Sequence, residues 1–313
     1  MTKEVLPMLL VIFGPTGAGK SELAHQIARR RGGEIVSADA FAVYRGFDVG
    51  TAKPSPAHRA EVPYHMLDVA NSEEALSAGR WAKEARAVVE DIARRGKLPI
   101  VCGGSGFYIA ALLEGLPPGP AHDTRLRKAL ARWAERRGAA RAHGVLAAND
   151  PVSAALIPVG NLRYTLRALE ILLLTGAPAS ARSREPDAWA RRFRVVKLGL
   201  RPALAQLHVR IQNRVRRMLE TGWDEEVRRL LESGLPLESN SFRAIGYREV
   251  AEWVLGNITR QEAQEQIVTA TRGLARRQKT WFARERDAHW VKPEEALAAT
   301  LALLGEAGDR ETR

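Results

Sequence analysis

The spacing of hydrophobic positions changes character twice along the chain. Residues 8–14 form an unbroken apolar run, MLLVIFG, followed by a glycine-rich turn and by SELAHQIARR, where apolar residues recur at helical spacing. This predicts a buried strand, a loop and a helix over about 20–31. GGEIVSAD reads as a second strand ending at Asp39, a helix is predicted over about 78–95, and the strand LPIVCGG follows. Strands alternating with helices imply a parallel sheet covered by helices. The pattern then breaks at EGLPPGPAHD, a Pro/Gly-rich stretch suited to a hinge, and residues 122–190 read as helical throughout. A β-type run, FRVVKLGL, returns at 193–200, followed by helices over about 203–220 and 224–233, a loop over 236–246 and a long helix over about 260–285. The expected organisation is an α/β core from residues 1–117 and 194–313 with a helical domain, 118–193, inserted into it. Leu204, Leu207, Ile211, Val215 and Met218 form an apolar stripe that reads as core, with Arg210, Arg214 and Arg217 on a neighbouring face. The last residues, GEAGDRETR, read as a frayed tail.

Composition narrows the class. With 313 residues, 45% of them hydrophobic and 27% charged, the chain can bury a large core. No apolar stretch approaches the ~18 residues of a membrane span. The apolar N-terminal segment runs straight into the glycine-rich turn without a small-residue cleavage site, so it reads as a strand and not a signal peptide. A single Cys102 excludes an internal disulfide framework and a cysteine-built zinc site, in keeping with a reducing, cytoplasmic compartment. The net charge of +12 is carried by arginine pairs and triplets at 29–31, 94–95, 136–137, 191–192, 216–217, 228–229 and 276–277. A polyanionic partner and merely solvated basic faces account for this equally well.

The turn after the first strand, GPTGAGKS, fits the phosphate-binding loop G-x-x-x-x-G-K-[ST] in its strand–loop–helix setting. Its backbone N–H groups point at an anion, Lys20 adds a cation, Ser21 can hold Mg²⁺, and the following helix presents its positive end. Ligands of open parallel sheets bind at the carboxyl ends of the strands, which here carry this loop, Asp39 and CGGSG. A P-loop ATPase normally has an acidic residue at the end of an apolar strand, whereas the third strand here stops in Gly103 and Gly104, which weakens the ATPase reading; a small-molecule kinase with Asp39 as its substrate anchor stays open. Asp39 suits a metal ligand, a substrate anchor, a general base or a simple turn cap.

In order and spacing, GPTGAGKSELA, IVSAD with VYRGFDVGTAKPS, VPYHMLD, GGSGFYIAALLEGL, RALEILLLTG, AIGYRE and RRQKTWFARE resemble the tRNA dimethylallyltransferases, also called tRNA isopentenyltransferases, from Gly14 to about Trp290. DVGTAKP and GGSGFY are the specific parts, since other phosphate-loop proteins lack them. The resemblance implies a P-loop NTPase-like α/β fold with a helical insertion. It also implies transfer of a dimethylallyl group from dimethylallyl diphosphate to N6 of adenosine 37, in the anticodon stem-loop of tRNAs that read codons beginning with U. A monomer using Mg²⁺ is expected.

On this resemblance Asp39 is the catalytic base and Ser105, where the family usually has threonine, hydrogen-bonds near the reacting amine or diphosphate. The diphosphate would be held by Gly14, Pro15, Thr16, Gly17, Ala18, Gly19, Lys20 and Ser21, with Arg210 and Arg214 from a diphosphate-contacting helix. The RNA would be held by Asp39, Ala40, Phe41 and Ala42, by Arg127, Arg163 and Arg167 of the insertion, and by Arg243, Gly246, Tyr247 and Arg248. Tyr247 fits packing as well as stacking. Thr51 and Lys53 fit either a place near the substrates or the turn before Pro54, His65 reads as a hydrogen-bonded structural residue, and Trp281 and Phe282 as core anchors. The sequence departs from the family in having Ala40 where serine is usual after the aspartate, PVGN in place of a His-Pro-Asn-Asp style run near residue 160, and no zinc-finger extension.

Overall fold

The computed structural model describes residues 6–117, 119–120, 123–182 and 187–305. Two compact units divide the chain, Gly115–Asp187 being one and the segments before and after it together the other. All but Gly305 of the segment expected to fray, and part of the expected hinge, lie outside the described residues. Among the described residues no helix is long and apolar enough to cross a membrane.

The larger unit begins with β1 (Met8–Phe13), α1 (Lys20–Arg31), β2 (Glu34–Ser37), α2 (Pro56–Glu61), β3 (Tyr64–His65), α3 (Ala78–Arg94), β4 (Pro99–Gly103) and α4 (Gly106–Glu114). The smaller unit holds α5 (Thr124–Arg137), α6 (Ala139–Asn149), α7 (Pro151–Leu156) and α8 (Leu162–Thr175). The larger unit resumes with β5 (Arg194–Leu200), α9 (Leu204–Glu220), α10 (Trp223–Glu232), α11 (Tyr247–Val254), α12 (Arg260–Phe282), β6 (His289–Val291) and α13 (Ala296–Leu303).

Six parallel strands lie in the order β3-β2-β4-β1-β5-β6. The unbroken apolar run of β1 follows from its central place, because a parallel strand is covered on both faces and cannot alternate with polar residues. Leu9, Leu10, Val11 and Ile12 are accordingly fully buried. One cluster joins Leu23, Ala24 and Ile27 of α1 to Leu10, Ile12, Ile35, Ile100 and Leu198 of the strands and to Ala296 of α13. Elsewhere Phe13 of β1 stacks on Phe282 of α12, and Trp81 of α3 on Tyr108 of α4.

The strands β3 and β6, two and three residues long, are too short to show a period. Helix α4, GFYIAALLE, is apolar on nearly every face and so has none either. Leu204, expected in the core, is 59% exposed because it opens α9, whereas Leu207, Ile211, Val215 and Met218 are buried. The insertion is shorter at its C-terminal end than the expected 118–193. Trp189 packs on Phe193 and donates its indole N–H to Glu90 of α3, which Arg192 also meets, so 188–193 belong to the α/β unit.

The smaller unit packs Leu146, Ala154, Ala168 and Leu169 with Trp133, Val145 and Ile157. Two buried acids tie its helices. Asp150 caps α7 by accepting from Ser153 N–H, and also takes the N–H and hydroxyl of Ser180; these hydrogen bonds hold its carboxyl down at about 2 despite burial, which acts in the opposite direction. Glu170 of α8 is closed on Arg127 of α5 and Arg167.

Candidate active site

The strand order brings three loops together at one end of the sheet, since β2, β4 and β1 are neighbours. The loop after β1 carries the phosphate motif. Its N–H groups are presented by glycines in the left-handed region, Gly17 and Gly19 at φ 80° and 92°. Helix α9 lies against it, for a side-chain carbon at Gly17 would fall 3.3 Å from both Leu207 and Ile211 and 4.0 Å from Arg210 Cβ. This places the basic face of α9 beside the loop.

Lys20 donates to the Pro15 carbonyl at 2.8 Å. Burial lowers its ammonium to about 8; the neighbouring Arg214 adds to this, while the Asp39 carboxylate opposes it. Burial also lowers Arg214, with Asp39 again opposing. Among the described residues Arg214 has no hydrogen-bond or ion-pair partner, and Arg210 on the same helix is exposed and likewise unpaired. A half-buried guanidinium without an acceptor is costly unless an anion supplies one. Cys102, at the end of β4 between these charges, is buried and pushed up to about 12, so it stays a thiol.

Asp39 follows β2. Its Oδ1 accepts the N–H groups of Phe41 and Ala42 at 2.8 and 3.2 Å, the turn-capping arrangement, while no described residue hydrogen-bonds Oδ2. The cap thus fixes the carboxylate and leaves one oxygen to act. Ser105 Oγ accepts the Ala40 N–H at 3.1 Å, and Ser105 N–H donates to Ala38 O at 3.1 Å. With its oxygen so engaged, the Ser105 hydroxyl proton is available to a ligand. Ala40 contributes its backbone N–H to this arrangement.

Other residues singled out in the sequence turn out to be held by the protein itself. Tyr247 is fully buried and donates its hydroxyl to buried Glu226 at 2.6 Å, its ring packed among Phe47, Trp223 and Phe242, so it offers no face to an RNA base. Gly246 is buried against the Trp223 ring. Arg127 and Arg167 each give a guanidinium nitrogen to Glu170 at 2.8 and 2.7 Å, which makes them ties within the helical unit. Lys53 is closed on Asp48, Asp68 and the Tyr44 carbonyl, and Thr51 on the Phe47 carbonyl, the turn alternative for both. His65 meets Glu34. Phe282 is buried, but Trp281 is 37% exposed. Arg163, Arg243 and Arg248 are exposed and have no ion-pair partner among the described residues. Two residues that no motif reading isolated matter here. Glu226 accepts the N–H groups of Asp48 and Val49, pinning the DVGTAKP loop, and Gln278 reaches the phosphate loop from α12. An acid in an amphipathic helix was the sequence sign of the first; the second lies inside the RRQKTWFARE stretch, where nothing singles it out from its neighbours.

The family model for IPP transferase matches residues 42–285. A tRNA dimethylallyltransferase 1 of Pelobacter propionicus is 42% identical over 301 residues, covering 96% of this chain and 97% of that one, and a tRNA dimethylallyltransferase 2 of Syntrophus aciditrophicus is 40% identical over 92% of each. Among solved structures, the tRNA isopentenylpyrophosphate transferase of Bacillus halodurans superposes with a TM-score of 0.69 at 31% identity, covering 95% of each chain. A eukaryotic dimethylallyltransferase acting on tRNA gives 0.79 at 26% identity, covering 95% of this chain and 78% of its own. This chain therefore belongs to the IPP transferase family.

Proposed function

We propose that the protein transfers a dimethylallyl group from dimethylallyl diphosphate to N6 of adenosine 37 in tRNA, on the strength of one observation. Two poorly compensated cations, Lys20 of the phosphate loop and Arg214 of α9, and a carboxylate with a free oxygen, Asp39 after β2, act on one another. The cations suit a departing diphosphate, and the carboxylate suits a proton acceptor.

In this reading the bond from the allylic carbon to oxygen breaks and its electron pair leaves with the diphosphate, where Lys20, Arg214 and the loop N–H groups take up the charge. The adenine amine forms the new N–C bond. Its lone pair is delocalised into the ring, so it needs a base, and the free Oδ2 of Asp39 takes the proton. Ser105 donates its hydroxyl to the amine or the diphosphate and keeps the Asp39 turn in place through Ala40. Ser21, whose hydroxyl has no partner among the described residues, fits a Mg²⁺ that takes its other oxygens from phosphate and water. Bound there, the ion would neutralise charge building on the leaving group.

A base inside an anticodon loop reaches a strand-end carboxylate only when extruded, at a cost of a few kcal/mol. Exposed Arg163, Arg243 and Arg248 suit the tRNA phosphates, and Tyr164, 53% exposed beside Arg163, supplies an aromatic face that Tyr247 does not. The test is to incubate the protein with labelled dimethylallyl diphosphate, Mg²⁺ and either unmodified tRNA or AMP. Label is expected in tRNA; label in AMP alone, or phosphate transfer from ATP without prenylation, would overturn the proposal.

A further inference from the structure

We infer that Gln278 is a positioning residue, setting the separation between the phosphate loop and the Asp39–Ser105 pair; this rests on the prenyl-transfer reading above. Its carboxamide bridges two backbone segments. Oε1 accepts the Thr16 N–H of the phosphate loop at 2.7 Å, and Nε2 donates to the Gly104 carbonyl at 3.0 Å. A glutamine suits the task because its end carries both an acceptor and donors. The chemistry of the two targets fixes which way round the amide lies, since the flipped orientation would set donor against donor and acceptor against acceptor.

The surroundings are shaped for this bridge. A side-chain carbon at Gly104 would fall 2.2 Å from Gln278 Nε2, so the approach needs glycine there. One turn beyond Gln278, Phe282 stacks on Phe13 of β1 at 4.7 Å and fixes the end of α12 against the strand that delivers the phosphate loop. The bridge then continues. Gly104 leads into Ser105, which holds Ala38 and Ala40 on either side of Asp39. A continuous run of hydrogen bonds and peptide links therefore joins the anion cradle to the base, and Gln278 is its one member from outside the strand-end loops.

Displacement at carbon needs the leaving oxygen, the carbon and the attacking nitrogen in a set alignment, and an error of about 1 Å can cost ~10²-fold in rate. Cutting the bridge frees the two loops to move separately. Three properties are to be measured: turnover with dimethylallyl diphosphate and tRNA, affinity for inorganic pyrophosphate with Mg²⁺, and affinity for tRNA. Gln278→Leu removes both hydrogen bonds and is expected to lower kcat about 10²-fold with tRNA affinity unchanged within about twofold. Gln278→Glu keeps the shape and the acceptor but loses the donor to Gly104 and adds negative charge, so pyrophosphate binds more weakly, by roughly tenfold. Its kcat relative to wild type should recover as pH is lowered, because the neutral acid regains a donor. A role in folding alone would lower the melting temperature of Gln278→Leu while leaving kcat per folded molecule, pyrophosphate affinity and the relative pH profile of Gln278→Glu as in wild type, and that result overturns the inference. Absence of prenyl transfer by the wild type would instead refute the reaction, while pyrophosphate affinity still reports on the bridge.

Discussion

Two lysines, each inside a motif of this family, stand in opposite circumstances. Lys20 of the phosphate loop has, among the described residues, a single carbonyl for a partner and is pushed down to about 8 by burial. Lys53 of DVGTAKP has a side chain 2% exposed and is closed on Asp48 at 2.6 Å, Asp68 at 2.5 Å and the Tyr44 carbonyl at 2.6 Å. The acids repeat the contrast. Asp39 keeps an oxygen free, whereas Glu226 is filled by two backbone N–H groups and the Tyr247 hydroxyl. The arginines repeat it again, Arg214 being unpaired among the described residues and Arg127 and Arg167 tied to Glu170. Density of motif residues therefore does not separate ligand-binding groups from scaffold. Unfilled hydrogen-bonding capacity is the property on which the proposed site rests.

The largest effect expected from breaking this contrast lies at Asp39. Asp39→Ala should lower kcat by ~10³-fold, the range of a lost general base, while tRNA affinity stays within about threefold. Equal loss of RNA affinity and turnover would assign Asp39 to binding and dissolve its difference from Glu226.

These two acids also mark how far the sequence could be read. The strands β1, β2, β4 and β5 and the helices α1, α3, α9 and α12 are long and periodic, or fully buried, and their positions follow from the pattern alone. Asp39 and Ser105 were visible because strand ends of a parallel sheet are where ligands bind. Glu226, Gln278, and the pairing of Arg127 and Arg167 with Glu170 were not. Each depends on partners far away in the chain, and a polar residue bound to distant backbone looks in sequence like one bound to water. Tyr247 stays undecided between packing and stacking for the same reason, until its hydroxyl is seen on a buried acid.

Glu226 should show its effect on stability and not on chemistry. Glu226→Ala leaves the buried Tyr247 hydroxyl and the part-buried N–H groups of Asp48 and Val49 without their acceptor and is expected to cost about 3 kcal/mol in urea unfolding. Glu226→Gln should cost only about 1 kcal/mol, because the amide oxygen can take the Asp48 and Val49 N–H groups while its NH₂ donates to the Tyr247 oxygen. Tyr247→Phe should cost about 1 kcal/mol with tRNA affinity unchanged. A marked loss of tRNA affinity in Tyr247→Phe would move this buried cluster to the ligand-binding side of the comparison.

The smallest effect is a pH dependence carried by Lys20. Its ammonium lies near 8 in the free protein because burial disfavours the charged form, so the charge is complete below about pH 7 and is lost as pH rises through 8. The specificity constant kcat/KM for the diphosphate donor reports the free enzyme and should fall about tenfold per pH unit above 8. Bound diphosphate stabilises the ammonium and raises it again, so kcat should stay level over the same range. Lys20→Arg retains a cation that does not titrate, whatever rate its altered shape leaves, and its kcat/KM should lose the inflection. An inflection near 8 that persists in Lys20→Arg belongs to some other group, and the incomplete compensation of Lys20 would then have no part in holding the anion.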